Sequence, residues 1–199
     1  MKHKYIVAGG VVILALIFIA LCIGMATPAN AYEGERITTA RQDALHEAAD
    51  ILRSYGYADD SEAIKALSDA WWAEQEALDI LAKVVKNEAD PQWCEWEHSV
   101  AVAVVVLNRV ASPYFPNSVR EVVAQPGQYL KAYTYGFADT PRLCYEAAKA
   151  ALDGDHDVPD DCYWQDTSIQ GTAIWKAFTV DTGYFRSTTY ICRGIPRVS

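Results

Sequence analysis

The sequence predicts an α+β protein: a mainly helical body, a small C-terminal antiparallel β region, and a hydrophobic helix ahead of both at the N-terminus. Three observations lead there. An uncharged apolar run occupies Tyr5 to Ala26. Apolar residues then recur at spacings of three and four through residues 40–88, the period of a helix with one packed face. Beyond Val158 the pattern shortens to β-type runs separated by glycine and polar residues. The chain of 199 residues, 51% hydrophobic and 22% charged, has the composition of a folded domain and not of a disordered or fibrous one.

The N-terminal run follows two lysines in Met1–Lys4, and no further charge appears until Glu33. It reaches the length of about 20 residues that crosses a bilayer as a helix, with the lysines held in the cytoplasm. It ends in Ala29-Asn30-Ala31, the A-x-A pattern of a signal-peptidase site, so cleavage and anchoring are both open. Cys22 follows Leu21, where a lipoprotein signal wants a small residue. Residues 1–31 are therefore expected to be a signal peptide or transmembrane anchor, and Tyr32–Ser199 to be extracytoplasmic, secreted or held on the membrane by residues 5–26. Removing 1–31 takes away two lysines and no acid, which moves the net charge from −9 to −11. Such an acidic body, with no basic stripe, argues against nucleic acid as a partner.

Residues 32–39 read as a tether. A helix is predicted from Ala40 to Tyr55, with Leu45, Ala48, Ala49 and Leu52 on one face and Gly56 as its stop. Asp59 and Glu62 make a D-x-x-E start for a long helix toward Glu88. Its stripe of Ile64, Leu67, Trp71, Leu78, Leu81 and Val85 is interrupted by Glu74. The eight apolar residues Val100–Leu107 leave two readings open: β-branched content favours a strand, and all-round apolarity allows a helix at the domain centre. Pro113 and Pro116 break the chain, Asn117 is expected to cap a short helix through Gln125, and Pro126-Gly127 turns into a loop with Tyr129, Tyr133 and Tyr135. Thr140-Pro141 opens a helix that Gly154 closes. Strands are predicted at Cys162–Gln165, Ala173–Val180 and Gly183–Cys192, with Asp181-Thr182-Gly183 as a hairpin loop.

Glu88 continues the stripe, three residues past Val85 and four past Val84. A carboxylate on a buried face at a helix C-terminus is disfavoured as an anion by desolvation and by the negative end of the helix dipole, so its pKa should rise toward the range of a general acid. Four cysteines follow the first segment: Cys94, Cys144, Cys162 and Cys192. An even number outside the cytoplasm is expected to form two disulfides, in any of three pairings. A metal site using Cys94, His98 and His156 is the weaker reading, because no C-x-x-C pair is present. His98 and His156 are expected to be surface or packing residues.

Four segments together carry a resemblance: Ile80-Leu-Ala-Lys-Val-Val-Lys-Asn-Glu-Ala89, Val100-Ala-Val-Ala-Val-Val-Val-Leu-Asn-Arg-Val110, Ser112-Pro-Tyr-Phe-Pro-Asn117 and Val122-Val-Ala-Gln-Pro-Gly-Gln-Tyr129. In order and spacing they resemble the cell-wall hydrolase family of the spore-cortex-lytic enzyme SleB. The resemblance assigns residues 78–199 to such a domain and leaves 32–77 as a linker and helical extension. It implies a lysozyme-like, mainly helical fold in which 100–110 is a buried helix, and cleavage of peptidoglycan glycan strands by one acidic residue, here Glu88. The chain departs from the family in the stretch Ala89–Ser99, which is longer than the glycine-containing form of the spore enzymes.

On that reading Glu88 protonates the oxygen between N-acetylmuramic acid and N-acetylglucosamine as the bond breaks through an oxocarbenium-like state. Attack by the muramic C6 hydroxyl, with Glu88 returning as base, makes a lytic transglycosylase; attack by water recruits a second carboxylate, with Asp90, Glu95 and Glu97 the nearest in sequence. The family contains transglycosylases, which favours the first route. Gln128 and Tyr129 are expected to bind substrate, as are the ring faces of Trp93, Tyr163 and Trp164. Asn108 and Arg109 match the family and are expected to satisfy neighbouring backbone and carboxylates. Acid catalysis on a glycoside calls for no cofactor and no metal. The partners implied are peptidoglycan glycan strands, and the membrane if the N-terminal helix stays uncleaved. Two other readings stand beside the enzyme: a tethered, non-catalytic wall-binding protein, and a regulatory membrane protein whose residues 40–76 dock a partner.

Overall fold

The computed structural model describes residues 37–129 and 139–195. The expected signal or anchor at 1–31, together with Tyr133 and Tyr135, lies outside them. Among the described residues no helix is long and apolar enough to cross a membrane. The elements are α1 (Ala40–Ser54), α2 (Glu62–Glu88), α3 (Trp96–Ala111), α4 (Val119–Val123), α5 (Arg142–Asp153), β1 (Cys162–Asp166), β2 (Ala173–Asp181) and β3 (Arg186–Arg193). The chain forms two compact units that part between Glu74 and Gln75, inside α2.

In the first unit Thr39 caps α1 through a reciprocal box: its hydroxyl accepts from the Gln42 amide at 3.2 Å, and its own amide donates to Gln42 Oε1 at 3.0 Å. Ala48, Ala49 and Leu67 are buried, with Leu45 and Leu52 packed against them. Glu74 interrupts the apolar stripe in sequence, yet it is buried. The Thr39 hydroxyl donates to its Oε1 at 3.1 Å and Arg41 lies 3.7 Å from Oε2, which makes burial of the carboxylate tolerable.

The second unit is built around α3, buried from His98 to Val106. The helix reading of this segment holds and the strand reading does not. A helix satisfies its backbone groups within the segment, whereas a strand at the centre needs neighbours on both edges. Against that, valine costs only about 0.5 kcal/mol per residue in a helix. Leu78, Leu81, Val84 and Val85 of α2 are fully buried. The Ser99 hydroxyl donates to the carbonyl of Ala89 at 2.6 Å, tying the start of α3 to the end of α2.

The short helix α4 is capped by Ser118 and not by Asn117, the Ser118 side chain accepting from the Glu121 amide at 3.3 Å. Gly154 ends α5 with φ of 76°. The three strands form one antiparallel sheet in the order β1-β3-β2. Asn108 docks β1 onto α3, its amide donating to the carbonyls of Pro159 at 2.8 Å and Cys162 at 3.1 Å. The hairpin turn is longer than expected, closed by the Thr182 amide on the Phe185 carbonyl at 3.0 Å, so β3 begins at Arg186 and not at Gly183.

The expected disulfides are corrected: Cys94, Cys144, Cys162 and Cys192 are all free thiols. Cys162 and Cys192 come from neighbouring strands but do not face each other, since Cys162 pairs with Arg193 and Cys192 with Trp164. Burial pushes the Cys144 and Cys162 thiols up to about 11, so both stay protonated.

Candidate active site

A cavity of about 460 Å³ in the second unit gathers most of the chemistry-bearing residues. The end of α2 contributes Asn87 and Glu88, α3 contributes Val102 and Arg109, and the turn after α4 contributes Gly127, Gln128 and Tyr129. The sheet closes it with Gln165, Asp166, Thr167, Gln170 and Thr189. A broader depression over Pro113, Phe115 and Pro116 is lined by a single ionisable residue, Glu121, and offers no comparable chemistry.

Arg109 organises the back of the cavity. Its guanidinium is buried, donates from Nε to the Tyr163 carbonyl at 2.7 Å and from Nη1 to Gln128 Oε1 at 2.9 Å. It lies over the rings of Phe115 at 5.2 Å, Trp164 at 5.4 Å and Tyr129 at 5.8 Å. Because Arg109 takes the Gln128 oxygen, the Gln128 amide NH₂ is the group left to donate to a ligand.

Tyr129 is the one non-glycine residue with positive φ among the described residues, at 41°. That conformation costs about 1 kcal/mol and is held here by burial of the ring. Its hydroxyl is buried without a partner among the described residues. Burial pushes the phenol up to about 12, with the Glu88 carboxylate adding to the shift and Arg109 opposing it, so Tyr129 is a proton donor at any ordinary pH. Gln165 Oε1 is likewise buried and unpartnered.

Glu88 ends α2 and lines the cavity, but it is exposed, which corrects the expected burial. The helix stops at Glu88 and the chain turns away, so the last stripe position faces the open side of the cavity instead of the core. Glu88 thus sits at the helix end, as the sequence places it, but not on a buried face.

Asp166 is the second carboxylate here. Its Oδ1 accepts from the Thr167 hydroxyl at 3.2 Å and the Ser168 amide at 3.3 Å, and its Oδ2 accepts from the Gln170 amide. Partial burial alone would raise its pKa. The bonds from the Ser168 and Thr167 amides, the Thr167 hydroxyl and Gln170 outweigh it and hold the carboxyl below its usual range. The carboxylates nearest Glu88 in sequence are engaged elsewhere. Asp90 pairs with Lys86 and accepts from the Gln92 amide at 3.0 Å, Glu97 pairs with Lys176, and Glu95 sits at the N-cap of α3.

Of the residues expected from sequence, Glu88, Gln128 and Tyr129 come together in the cavity. Trp93 stands exposed on the loop before α3, outside the cavity lining. Tyr163 and Trp164 form the layer behind Arg109, packed on Phe115 at 5.7 and 6.0 Å between centroids, with the Trp164 indole donating to the Gly194 carbonyl at 2.7 Å. Asp166, Gln165, Gln170 and Thr189 were missed. Asp166-Thr-Ser168 at a strand end is an Asx-turn sequence, a local signal for a fixed carboxylate, but nothing local tells that it lines one cavity with Glu88.

Residues 95–188 match the cell wall hydrolase family model. The match runs from the N-cap of α3 into β3, and so takes in Arg109, Gln128, Tyr129 and Asp166; it begins after Glu88. No curated protein and no solved structure matches the chain. The cell wall hydrolase match agrees with the broad family of the resemblance and points to an enzyme acting on the cell wall, with peptidoglycan as a consistent substrate.

Proposed function

We propose that this protein cleaves the glycan strands of peptidoglycan between N-acetylmuramic acid and N-acetylglucosamine, with Glu88 as the acid, as a SleB-like lytic transglycosylase. One observation carries the reading: within a chain that matches cell wall hydrolases over residues 95–188, the cavity brings Glu88 together with Arg109 of α3 and with Gln128 and Tyr129 of the turn after α4. A sugar strand lying over Glu88 desolvates its carboxyl, which favours the protonated form. Glu88 then gives its proton to the glycosidic oxygen as the C1–O bond breaks. It takes a proton back from the muramic C6 hydroxyl as that oxygen closes on C1, leaving a 1,6-anhydro end. The Gln128 NH₂ and the Tyr129 hydroxyl donate to acetamido or hydroxyl oxygens along the strand.

The chain works outside the cytoplasm on this reading, secreted or held by residues 5–26. The test incubates purified full-length protein and its Glu88→Gln variant with purified peptidoglycan and analyses released fragments by mass spectrometry. Fragments ending in 1,6-anhydro-muramic acid from the parent and none from the variant are expected. Reducing ends from the parent would replace transglycosylation by hydrolysis. Wall binding without release by either protein would leave the tethered binding protein in its place.

A further inference from the structure

We propose that Asp166 is a second catalytic carboxylate of this site, one that meets the sugar ring and stabilises the positive charge developing at C1 while Glu88 moves the proton. This rests on the glycan-cleavage reading above and adds to it a group that a single-glutamate scheme does not contain. Four observations carry it. Asp166 and Glu88 line the same cavity, one from the end of β1 and the other from the end of α2. Asp166 is held by the Ser168 amide, the Thr167 hydroxyl and the Gln170 amide, so its carboxylate is fixed before substrate arrives.

The third observation is that two other polar atoms of residues in the same lining, Gln165 Oε1 and the Tyr129 hydroxyl, are buried with no partner among the described residues. One accepts and the other donates, the pair that a ring hydroxyl and an acetamido carbonyl complete. Gln165 and Asp166 end β1 together, and both line this cavity. The fourth is that Asp90 and Glu97, nearer to Glu88 in sequence, are held by Lys86 and Lys176 and lie outside the lining.

The chemistry balances without a new bond to Asp166. The glycosidic oxygen keeps the electron pair of the broken C1–O bond and receives the Glu88 proton. The charge left on C1 and the ring oxygen is quenched by an incoming hydroxyl, whose proton returns to Glu88. Asp166 stays an anion throughout, and a fixed anion beside a forming cation in a cleft emptied of water lowers the barrier and not the affinity for the neutral sugar. The other charged and titratable groups of this lining are Glu88 from α2, Arg109 from α3 and Tyr129 from the turn after α4.

The test uses the full-length protein. Asp166→Asn, whose amide oxygen still accepts from Ser168, is expected to lower kcat on the order of 100-fold with little change in KM. Asp166→Glu, which keeps the charge, is expected to recover part of that loss. A second measurement needs no Asp166 variant to fold. The Glu88→Gln protein is titrated with a cationic imino analogue of N-acetylglucosamine and with its neutral counterpart, and the cation is expected to bind more tightly. Wild-type turnover by Asp166→Asn, or no preference for the cation in Glu88→Gln, overturns the role of Asp166 and leaves glycan cleavage intact. Turnover by Glu88→Gln overturns Glu88 as the acid, and absence of fragment release by the parent overturns the glycan-cleavage reading.

Discussion

His98 is buried with neither ring nitrogen partnered among the described residues, its imidazole stacked on Phe178 at 4.7 Å between centroids and 4° between planes. Burial lowers its pKa to about 4, so the ring is neutral in the folded protein. Above the unfolded value near 6.5 both states are neutral and the fold keeps its full stability. As pH falls from there toward 4 the unfolded chain takes up a proton that the folded one refuses, and about 3 kcal/mol is lost over that window. His98→Leu is expected to flatten the urea midpoint between pH 6.5 and 4.5 relative to the parent; an unchanged slope would show that other groups set it. Sequence placed His98 and His156 together as surface or packing residues, and packing is where His98 falls. The position of Glu88 on the stripe was readable, but its exposure was not, because a periodic count cannot tell a helix end that faces the core from one that faces a cleft.

Two glycines with similar backbone angles separate local from tertiary demands. Gly154 ends α5 at φ 76°, with nothing within 4 Å of a built Cβ. Gly154→Ala therefore carries only the cost of a left-handed alanine, about 1 kcal/mol. Gly171 has φ 71°, but a Cβ there stands 2.4 Å from the Arg193 carbonyl oxygen and 2.8 Å from Trp164. Gly171→Ala is expected to lose about 3 kcal/mol or more, since β3 or the Trp164 indole must move. Thermal melts of the two variants should separate clearly, and equal losses would mean that the sheet edge yields. The sequence marked Gly154 as a helix stop through its context. It offered no such mark at Gly171, because the crowding comes from residues far along the chain. The same limit explains α3: valine propensity points to a strand, and only the layers packed around Val100–Val106 make a self-satisfied helix the better solution.

Each of the two units has its own buried residues, Ala48, Ala49 and Leu67 in the first and the α2–α3 core in the second. The cavity belongs wholly to the second. Deleting residues 37–74 is therefore expected to leave wall cleavage within a few fold of the parent when fragment release is measured. Loss of cleavage by a folded deletion variant would favour a regulatory or docking role for that region. The division between the units lies at Glu74–Gln75 inside α2, so a helix passes through it without a linker.

What was legible in the chain was whatever depends on neighbours a few residues away: the helical stripes, the Thr140-Pro141 start and Gly154 stop of α5, the short strands, and Glu88 with the Gln128-Tyr129 turn as site candidates. Periodicity, capping and turn chemistry act over one or two turns of chain, so their signals are local. The tertiary structure decided the rest. It made 96–111 a buried helix, left the four cysteines unbridged, exposed Glu88, and brought Asp166 into the cavity from the far end of β1. Those outcomes depend on which surfaces pack together across long separations, and burial, facing register and cleft geometry exist only once they have done so.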